Sequence, residues 1–427
     1  MTANEWTIRQ KSILALCALA IVLDGFDTQV IGFAAPALLA DWNITKADLA
    51  PILGIGLLGM ALGAAAGGFV GDRFGRRVGM IASTLVFGLA TCAMAGAESL
   101  WTLGILRFVA GLGLGGALPI AAALVAEFTP PNRKSLAVSI SIICIPIGGI
   151  VGGLFAAPLL PIIGWRGLFI IAGVLPLAVA VVHLFTLPES PSFLESREDQ
   201  RVNPRKEAKL GAALTEQEGT RPGFFRSLSS QHLLGDTFAL WAAFCASLMS
   251  GYLYFNWLPV LLADAGFELS ATSVGLLVYN IGCVVAGVAV GAIATQVGTR
   301  GPLLLLAAFG AVGALALMLF PPTPSQSELL MIALAVQGFC LGGVQPLLYA
   351  LAVHVFPPQI RATGIGSAAS VGRIGAILSS ALGAIVLAWG AQGFFLSIAI
   401  AQAACAACIL LVRRHDTGSV RTAPNPV

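Results

Sequence analysis

Apolar residues along this chain come in long runs of about twenty, separated by shorter segments that hold most of the charged and polar residues. A helix rises 1.5 Å per residue, so about 20 apolar residues cross the hydrocarbon core of a bilayer. The runs lack the strict alternation of half-buried strands and therefore predict membrane-spanning helices. We place twelve of them, over residues 13–34, 51–70, 79–97, 100–125, 135–159, 167–187, 236–262, 271–293, 301–320, 329–353, 363–388 and 393–412.

One long polar stretch, residues 188–232, interrupts this series after the sixth predicted helix. It carries seven basic and seven acidic residues together with Pro, Ser and Gln, which is typical of a linker. The chain is therefore predicted to consist of an N-terminal six-helix half over 1–187, a linker over 188–235, and a C-terminal six-helix half with a short tail over 236–427.

Composition supports a membrane protein. Hydrophobic residues make up 57% of the chain and charged residues only 10%, against about 25% charged residues in a soluble domain. The mean hydropathy is +0.91. So few charges do not cover the surface of a soluble fold of 427 residues, which argues against a soluble enzyme, a nucleic-acid binder and a disordered scaffold.

The distribution of Lys and Arg predicts the orientation in the membrane. If both termini are cytoplasmic, only Lys46 and Arg166 of the 23 basic residues fall in outer loops, while Arg107 and Arg373 lie inside helices. The positive-inside rule requires this asymmetry. We therefore expect a multi-pass protein with both termini in the cytoplasm.

The two halves contain related motifs. The pattern G-x-x-L-G-G-x-x-P begins at Gly111 and again at Gly338, 227 residues later. A second pair of related segments, 68–77 and 291–300, is offset by 223 residues. Members of each pair have the same predicted orientation, so the repeat is parallel, and parallel six-helix halves with a central site are typical of membrane transporters.

Four formal charges lie well inside predicted helices: Asp24, Asp27, Arg107 and Arg373. Each costs about 2.5–3.5 kcal/mol at a helix centre, so each is expected to pair, to neutralise or to face a watery cavity. Asp24 and Asp27 share one helix face near mid-membrane, and a carboxyl that exchanges a proton near neutral pH is a candidate for proton coupling. A structural ion pair is the alternative. Arg373 needs an anion, either one of these aspartates or a bound carboxylate.

A charged cluster in the loop after the second helix is a candidate gate, formed by Asp72, Arg73, Arg76 and Arg77. Asp72 is expected to cap a neighbouring helix and to bind an Arg across the interface between the halves. Breaking and remaking that contact would open and close the inner face. For Arg76 and Arg77, ordinary positive-inside topology is the alternative. The second copy has Thr295 and Gln296 in place of the Asp-Arg pair, which predicts a weaker gate there.

Neutral polar and aromatic residues in the second half are candidates to line a cavity. Rings of Tyr stack on flat molecules and donate hydrogen bonds, so an Arg beside such rings suits an aromatic carboxylate. An ordinary position at the membrane interface is the alternative for the aromatic residues. With Arg373, the candidate substrate-binding residues are Tyr252, Asn256, Tyr279, Asn280, Gln345 and Tyr349.

Three segments resemble the major facilitator superfamily. They are Gly-Phe-Val-Gly-Asp-Arg-Phe-Gly-Arg-Arg at 68–77, Arg-Phe-Val-Ala-Gly-Leu-Gly-Leu-Gly-Gly at 107–116, and Pro-Glu-Ser-Pro at 188–191. The resemblance covers essentially the whole chain. It implies an all-α membrane fold of twelve transmembrane helices in two pseudo-symmetric six-helix halves. It also implies a role for Arg107 in proton transfer, with a structural ion pair as the alternative.

Four further segments resemble the aromatic acid:proton symporter family. They are Leu-Asp-Gly-Phe-Asp-Thr at 23–28, Asn-Trp-Leu-Pro at 256–259, Pro-Pro-Gln-Ile-Arg-Ala-Thr-Gly at 357–364 and Val-Gly-Arg-Ile-Gly-Ala at 371–376. That family carries benzoate-like, hydroxybenzoate-like and phenylpropionate-like acids and some ring-cleavage products. The resemblance implies that Asp24, Asp27 and Arg373 occupy functionally important positions.

The resulting hypothesis is a proton-coupled importer of an aromatic carboxylate that works by alternating access in the inner membrane, as part of aromatic catabolism. The proton gradient is the expected energy source, with no cofactor, no metal, no nucleic acid and a monomeric state. A drug or metabolite/proton antiporter and a non-transporting receptor for aromatic acids are the alternatives. No nucleophile–base pair or metal motif is evident in the sequence, so an enzyme is not expected.

Overall fold

The computed structural model describes residues 7–129, 134–202, 233–321, 323–357 and 360–414, and these residues form an all-helical bundle. The membrane helices are α1 (Ile8–Trp42), α2 (Lys46–Phe74), α3 (Arg76–Met94), α4 (Leu100–Phe128), α5 (134–163), α6 (165–186), α7 (Leu234–Asp264), α8 (Leu269–Val297), α9 (Arg300–Leu319), α10 (Ser327–Val355), α11 (Arg361–Val386) and α12 (Gly390–Leu411). A short linker helix covers Pro191–Val202. The prediction of twelve spanning helices is confirmed within the described residues.

Two pairs of helices are nearly continuous along the chain. Helices α5 and α6 are one helical stretch, Lys134–Thr186, broken at Gly164 with φ 65° and ψ −177°. Helices α11 and α12 are joined by a single 3₁₀ turn, Leu387–Trp389. The chain therefore shows ten continuous segments long and apolar enough to span a bilayer, two of which are long enough to cross twice.

Most helices begin one to five residues before the apolar runs from which they were predicted. Helix α1 begins at Ile8, five residues before the predicted start, because Thr7 forms a reciprocal capping box with Gln10. Thr45 and Asp48 form the same box at the start of α2. Hydropathy marks only the part of a helix that meets hydrocarbon, whereas polar capping residues decide where it begins.

The backbone repeats the parallel relation between the halves. All residues with positive φ in the described chain pair off between the halves: Asn43 with Gly266, Gly75 with Gly298, and Gly164 with Gly390. The helix contacts repeat as well. Helix α1 packs on α5 as α7 packs on α11, and α2 packs on α4 as α8 packs on α10. The halves meet mainly through α2 against α11, α5 against α8, and α1 against α7.

Glycines allow the closest of these approaches. A Cβ on Gly67 of α2 would overlap the Cα of Gly116 on α4, and one on Gly25 of α1 would overlap the backbone of Ile145 on α5. Such small-residue contacts bring membrane helices together where the lipid supplies no hydrophobic driving force between them.

The apolar core shows where the halves touch. We call the end of the bundle at Asn43 and Gly266 the outer end, and the end at Gly75 and Gly298 the inner end, after the predicted orientation. One buried cluster draws residues from both halves, including Phe33, Leu53 and Trp257, and lies toward the outer end. Toward the inner end each half has a separate cluster. The halves therefore share an apolar core at the outer end and have separate apolar cores at the inner end.

The predicted linker lies mostly outside the described residues, since 203–232 are not described. Its first part forms the linker helix, and the exact division of the chain at 188 and 235 stays a prediction.

A candidate charged site at the centre of the bundle

Asp27 lies at the centre of a buried polar node formed by three helices of the N-terminal half. Its side chain is 0% exposed. On one side, Nη1 of Arg107 on α4 lies 3.4 Å from Oδ1 of Asp27. On the other, the hydroxyl of Thr91 on α3 donates to Oδ2 at 2.7 Å. Both oxygens of the carboxylate thus have a donor.

Arg107 is fixed by more than this ion pair. Its Nη1 and Nη2 also donate to the backbone carbonyls of Asp27 and Thr28, at 3.2 and 3.0 Å. Its aliphatic stem lies over Gly56 of α2, where a Cβ would come within 2.8 Å of Cγ. A buried guanidinium needs this full set of acceptors, because leaving a buried charge unpaired is costly.

Asp24 lies about one helical turn from Asp27 on α1, toward the inner end, and has a different set of hydrogen-bond partners. Its side chain is 3% exposed, and its Oδ1 has no hydrogen-bond partner. The charged groups close enough to act on it are Asp27, Arg373 and Arg107. A buried carboxyl oxygen without a donor is poorly satisfied as an anion. Asp24 is therefore the less well satisfied of the two carboxyls.

Arg373 reaches the same region from the other half. It lies on α11, is half-buried, and donates from Nη1 to the carbonyl of Met60 on α2 at 2.8 Å. Because Met60 belongs to the N-terminal half, Arg373 sits where the two halves meet. Its planar group carries further donors that suit a carboxylate.

Two tyrosines accompany Arg373. Tyr252 on α7 interacts electrostatically with Arg373, Asp24 and Tyr349, so the four groups share one region. Tyr349 on α10 stands edge-on to the ring of Phe244, with the ring centroids 5.0 Å apart. Both tyrosines are half-buried. Arg373 acts electrostatically on both tyrosines, which places them in the region of the guanidinium.

Gln345 lies one turn from Tyr349 on α10. Its Nε2 donates to the hydroxyl of Ser247 on α7 at 3.2 Å, and the side chain is half-buried. This predicted substrate-binding residue thus belongs to the same face of the C-terminal half as the tyrosines.

Asn280 joins the two halves. Its Nδ2 donates to Oε1 of Gln29 on α1 at 2.8 Å, and Gln29 returns a bond from Nε2 at 3.3 Å. Both amides are fully buried. Gly149 of α5 leaves the space that they fill, since a Cβ there would lie 2.5 Å from Asn280.

Asn256 and Tyr279 lie deeper in the protein. Tyr279 is 1% exposed and stacks on Tyr254, with ring centroids 4.5 Å apart. Asn256 is buried beside Gly32 of α1, and its Nδ2 has no partner. In this conformation both residues pack within helix contacts, and their role in substrate binding stays a prediction.

The predicted gate residues form a network at the inner end of the N-terminal half. Asp72 accepts from Arg76 at 3.3 Å, and Arg76 also pairs with Glu127 of α4 at 3.1 Å. The guanidinium of Arg73 lies 5.9 Å from the ring centroid of Phe74. These partners all belong to one half, so the ion pair that we predicted across the interface is absent among these contacts.

Arg77 links the loop between α2 and α3 to the end of α6 by hydrogen bonds. Its backbone N–H donates to Glu189, and its Nη2 donates to the carbonyl of Leu184 at 2.5 Å. The second half repeats the latter contact, since Arg300 donates to the carbonyl of Leu410 at the end of α12. The retained basic residue of the second copy therefore has the same structural role as Arg77.

The outer end is closed by contacts that sequence reasoning did not single out. Lys46 at the start of α2 pairs with Asp264 at the end of α7, which links the two halves. Both side chains line a shallow cavity of about 610 Å³ whose other lining residues are mostly apolar. Thr91, Gln29 and Glu127 were likewise missed, because neutral polar residues in helices and an acidic residue at a helix end carry no distinctive pattern.

Comparisons with known proteins agree with this architecture. A sequence model described as Major Facilitator Superfamily matches residues 17–328 and 324–426. The 4-hydroxybenzoate transporter PcaK of Pseudomonas aeruginosa is 34% identical over 426 residues, which cover 96% of this chain and 94% of that protein. The gallate transporter of Pseudomonas putida is 34% identical and covers 91% and 87%.

A third relative is the 3-(3-hydroxy-phenyl)propionate transporter of Escherichia coli, at 31% identity over 91% of this chain and 90% of that protein. Among solved structures, the inward-open xylose transporter XylE from Escherichia coli has a TM-score of 0.73 at 19% identity and covers 96% of this chain and 98% of that one. At this level of identity, the structural similarity supports a shared fold and nothing further.

Proposed function

The chain belongs to the major facilitator superfamily, and we propose that it imports an aromatic carboxylate together with at least one proton, by alternating access. It is a multi-pass membrane transporter and not an enzyme. The relatives that support the cargo are named for hydroxylated aromatic acids, including 4-hydroxybenzoate and gallate. The proposed setting is the bacterial inner membrane, with both termini cytoplasmic, a monomeric state and the proton gradient as the energy source without a cofactor.

One observation carries the proposal: a fixed cation from one half and an unsatisfied carboxyl from the other share the centre of the bundle. Arg373 has donors beyond its bond to Met60, and Asp24 has an oxygen without a partner. An incoming carboxylate would bind the guanidinium in a two-pronged contact. Its ring would lie against Tyr252 and Tyr349, which stack on flat molecules.

Proton coupling follows from the same charges. A substrate anion at Arg373 brings negative charge close to Asp24, which raises the advantage of protonating that carboxyl. Neutralising Asp24 or Asp27 removes charge from the face opposite Arg373. The halves then reorient without carrying an unpaired ion through the apolar interior, where it costs several kcal/mol.

The test is uptake into proteoliposomes. Labelled 4-hydroxybenzoate is offered outside under an imposed pH gradient, with and without a protonophore. We expect uptake that the protonophore abolishes. Arg373→Ala should lower uptake at least tenfold, and Arg373→Lys should restore only part of it, because ammonium does not provide the two-pronged contact.

Arg166→Ala is the matched control. Arg166 forms an exposed ion pair with Asp41, with 45% and 49% of the side chains accessible, and such pairs contribute little. We expect its uptake to equal that of the wild type. Full uptake by Arg373→Ala would contradict the assigned carboxylate site, and wild-type uptake that is indifferent to the proton gradient would contradict the coupling.

A further inference from the structure

Thr91 is placed so that the two oxygens of Asp27 have chemically different neighbours. Oδ1 faces Arg107 at 3.4 Å, and Oδ2 accepts from the Thr91 hydroxyl at 2.7 Å. Thr91 is 0% exposed, so no bulk water competes for this bond.

Arg107 and Thr91 differ in whether they can accept a hydrogen bond from a protonated carboxyl. A guanidinium has five N–H donors and no acceptor, so a protonated carboxyl oxygen cannot donate to it. A hydroxyl both donates and accepts. A proton on Asp27 is therefore accommodated on Oδ2, where the acid O–H donates to Thr91, and not on Oδ1, where it would face the N–H groups of Arg107.

The hydroxyl hydrogen of Thr91 must turn away from Oδ2 when Asp27 takes up a proton there. A threonine in a helix can donate to the carbonyl four residues earlier. Thr84 on the same helix does so, with its hydroxyl 2.8 Å from the carbonyl of Met80. For Thr91 the carbonyl four residues earlier is that of Phe87, and in this conformation the hydroxyl bonds Asp27 instead. Rotation of the hydroxyl hydrogen about the Cβ–Oγ1 bond would turn this hydroxyl from a donor into an acceptor.

We propose that Thr91 is a positioning residue for proton coupling, which directs the proton to Oδ2 of Asp27 and keeps that oxygen hydrogen-bonded in both protonation states. This inference rests on the proposed function. In this step, one proton adds to Oδ2, the hydroxyl hydrogen of Thr91 turns away from that oxygen, and Arg107 keeps its bonds to Oδ1 and to the backbone. Release of the proton reverses each change.

The charged and titratable surroundings of Asp27 are defined on every helix that packs against it. The nearest of these groups are Asp24 on α1, Cys92 on α3 and Arg107 on α4. Arg373 on α11 interacts with Asp24. Tyr252 on α7 interacts with Asp24 and Arg107. Helix α8 carries no Asp, Glu, Lys or Arg, and α5 carries only Lys134 at its first position. Beside these groups, Thr91 is a neutral side chain that bonds the carboxylate directly.

The experiment is the pH dependence of proton-driven uptake. Thr91→Val keeps the shape of the side chain and removes the hydroxyl. A hydrogen bond to a charged group is stronger than one to a neutral group, so its loss disfavours the carboxylate more than the acid. We expect the midpoint of the pH profile to move upward by about one unit. Thr91→Ser retains the hydroxyl and should keep the wild-type midpoint.

Thr84→Val is the matched control, since it removes a buried hydroxyl from the same helix that bonds only its own backbone. Its midpoint should be unchanged. If Thr91→Val is poorly produced, Thr91→Ala removes the same hydroxyl, and a midpoint does not depend on the amount of protein. A wild-type midpoint in the hydroxyl-free variants, or an equal shift in Thr84→Val, overturns this inference alone. Wild-type uptake without any proton dependence overturns the proposed function instead.

Discussion

At the scale of single residues, the two halves divide the charge unequally. Shifted by 223 residues, Asp24 and Asp27 correspond to Ser247 and Ser250 in the second half. Ser250 bonds its own helix, with its hydroxyl 2.9 Å from the carbonyl of Ala246. The N-terminal half thus holds the carboxyls, while the C-terminal half contributes Arg373 and the tyrosines. This asymmetry suits a carrier that handles a proton on one side of its site and an anion on the other.

Two adjacent glycines of α2 provide a residue-scale test of the packing. A Cβ on Gly67 would overlap backbone of α4, whereas one on Gly68 meets nothing within 4 Å. We expect Gly67→Ala to destabilise the protein by about 1–3 kcal/mol, because the helices must move apart. Gly68→Ala should be neutral or slightly stabilising, since Ala favours the helix. Melting temperatures in detergent measure both, and equal values would refute the close α2–α4 contact.

The intramembrane charges were predictable from the sequence because a charged residue in an apolar run is rare and costly. The hydrogen-bond partners of these charged residues could not be predicted from the sequence. Thr84 and Thr91 look alike in the sequence, yet one bonds its own helix and the other bonds Asp27. Which hydroxyl faces the carboxylate depends on how α3 is rotated against α1, and helix rotation is set by packing that hydropathy does not encode.

At the scale of helices, number and order follow from the apolar runs, but the junctions follow from backbone chemistry. Helices α5 and α6 were predicted with a gap over residues 160–166, yet the chain bends at one residue. Gly164 and Gly390 mark equivalent junctions with φ of 65° and 67°. With extended ψ, this region of the backbone is accessible essentially only to glycine.

Substituting alanine at either helix junction tests whether its backbone conformation requires glycine. Nothing lies within 4 Å of a Cβ at Gly164 or Gly390, so the only cost is backbone strain. We expect Gly164→Ala and Gly390→Ala each to lower the free energy of unfolding by about 1–3 kcal/mol. Gly301, a helical glycine that also has open space, is the control, and Gly301→Ala should cost nothing. Denaturant titration in micelles reports all three, and unchanged junction variants would show that the bends are not strained.

At the scale of the whole molecule, the halves share one apolar core near the outer end and have separate cores near the inner end. Gln29 with Asn280 and Arg373 with Met60 join the halves at mid-depth. The parallel repeat was visible in the sequence as two motif pairs. Which ends of the two halves are in contact could not be predicted from the sequence, because each half folds in the same way whether the outer or the inner ends meet.

The ion pair between Lys46 and Asp264 is the charged contact that should hold the outer end closed. It spans the two halves and is partly exposed, with 29% and 45% of the side chains accessible, so it contributes at most about 1 kcal/mol. That still changes a two-state population by up to about fivefold. We expect Asp264→Asn and Lys46→Gln to favour the outward-open state, and the exchanged pair Lys46→Asp with Asp264→Lys to restore closure.

Accessibility of Val260 measures this shift. Val260 lines the outer cavity and is 1% exposed in the closed arrangement. In a background without the native cysteines, Val260→Cys should react with an outside, membrane-impermeant maleimide several-fold faster when the pair is broken. Arg166→Gln is the control, since the pair of Arg166 with Asp41 lies within one half and cannot hold the halves together. If Arg166→Gln accelerated labelling as much as Lys46→Gln, loss of surface charge and not opening would be the cause, and the outer end would owe its closure to the shared apolar core.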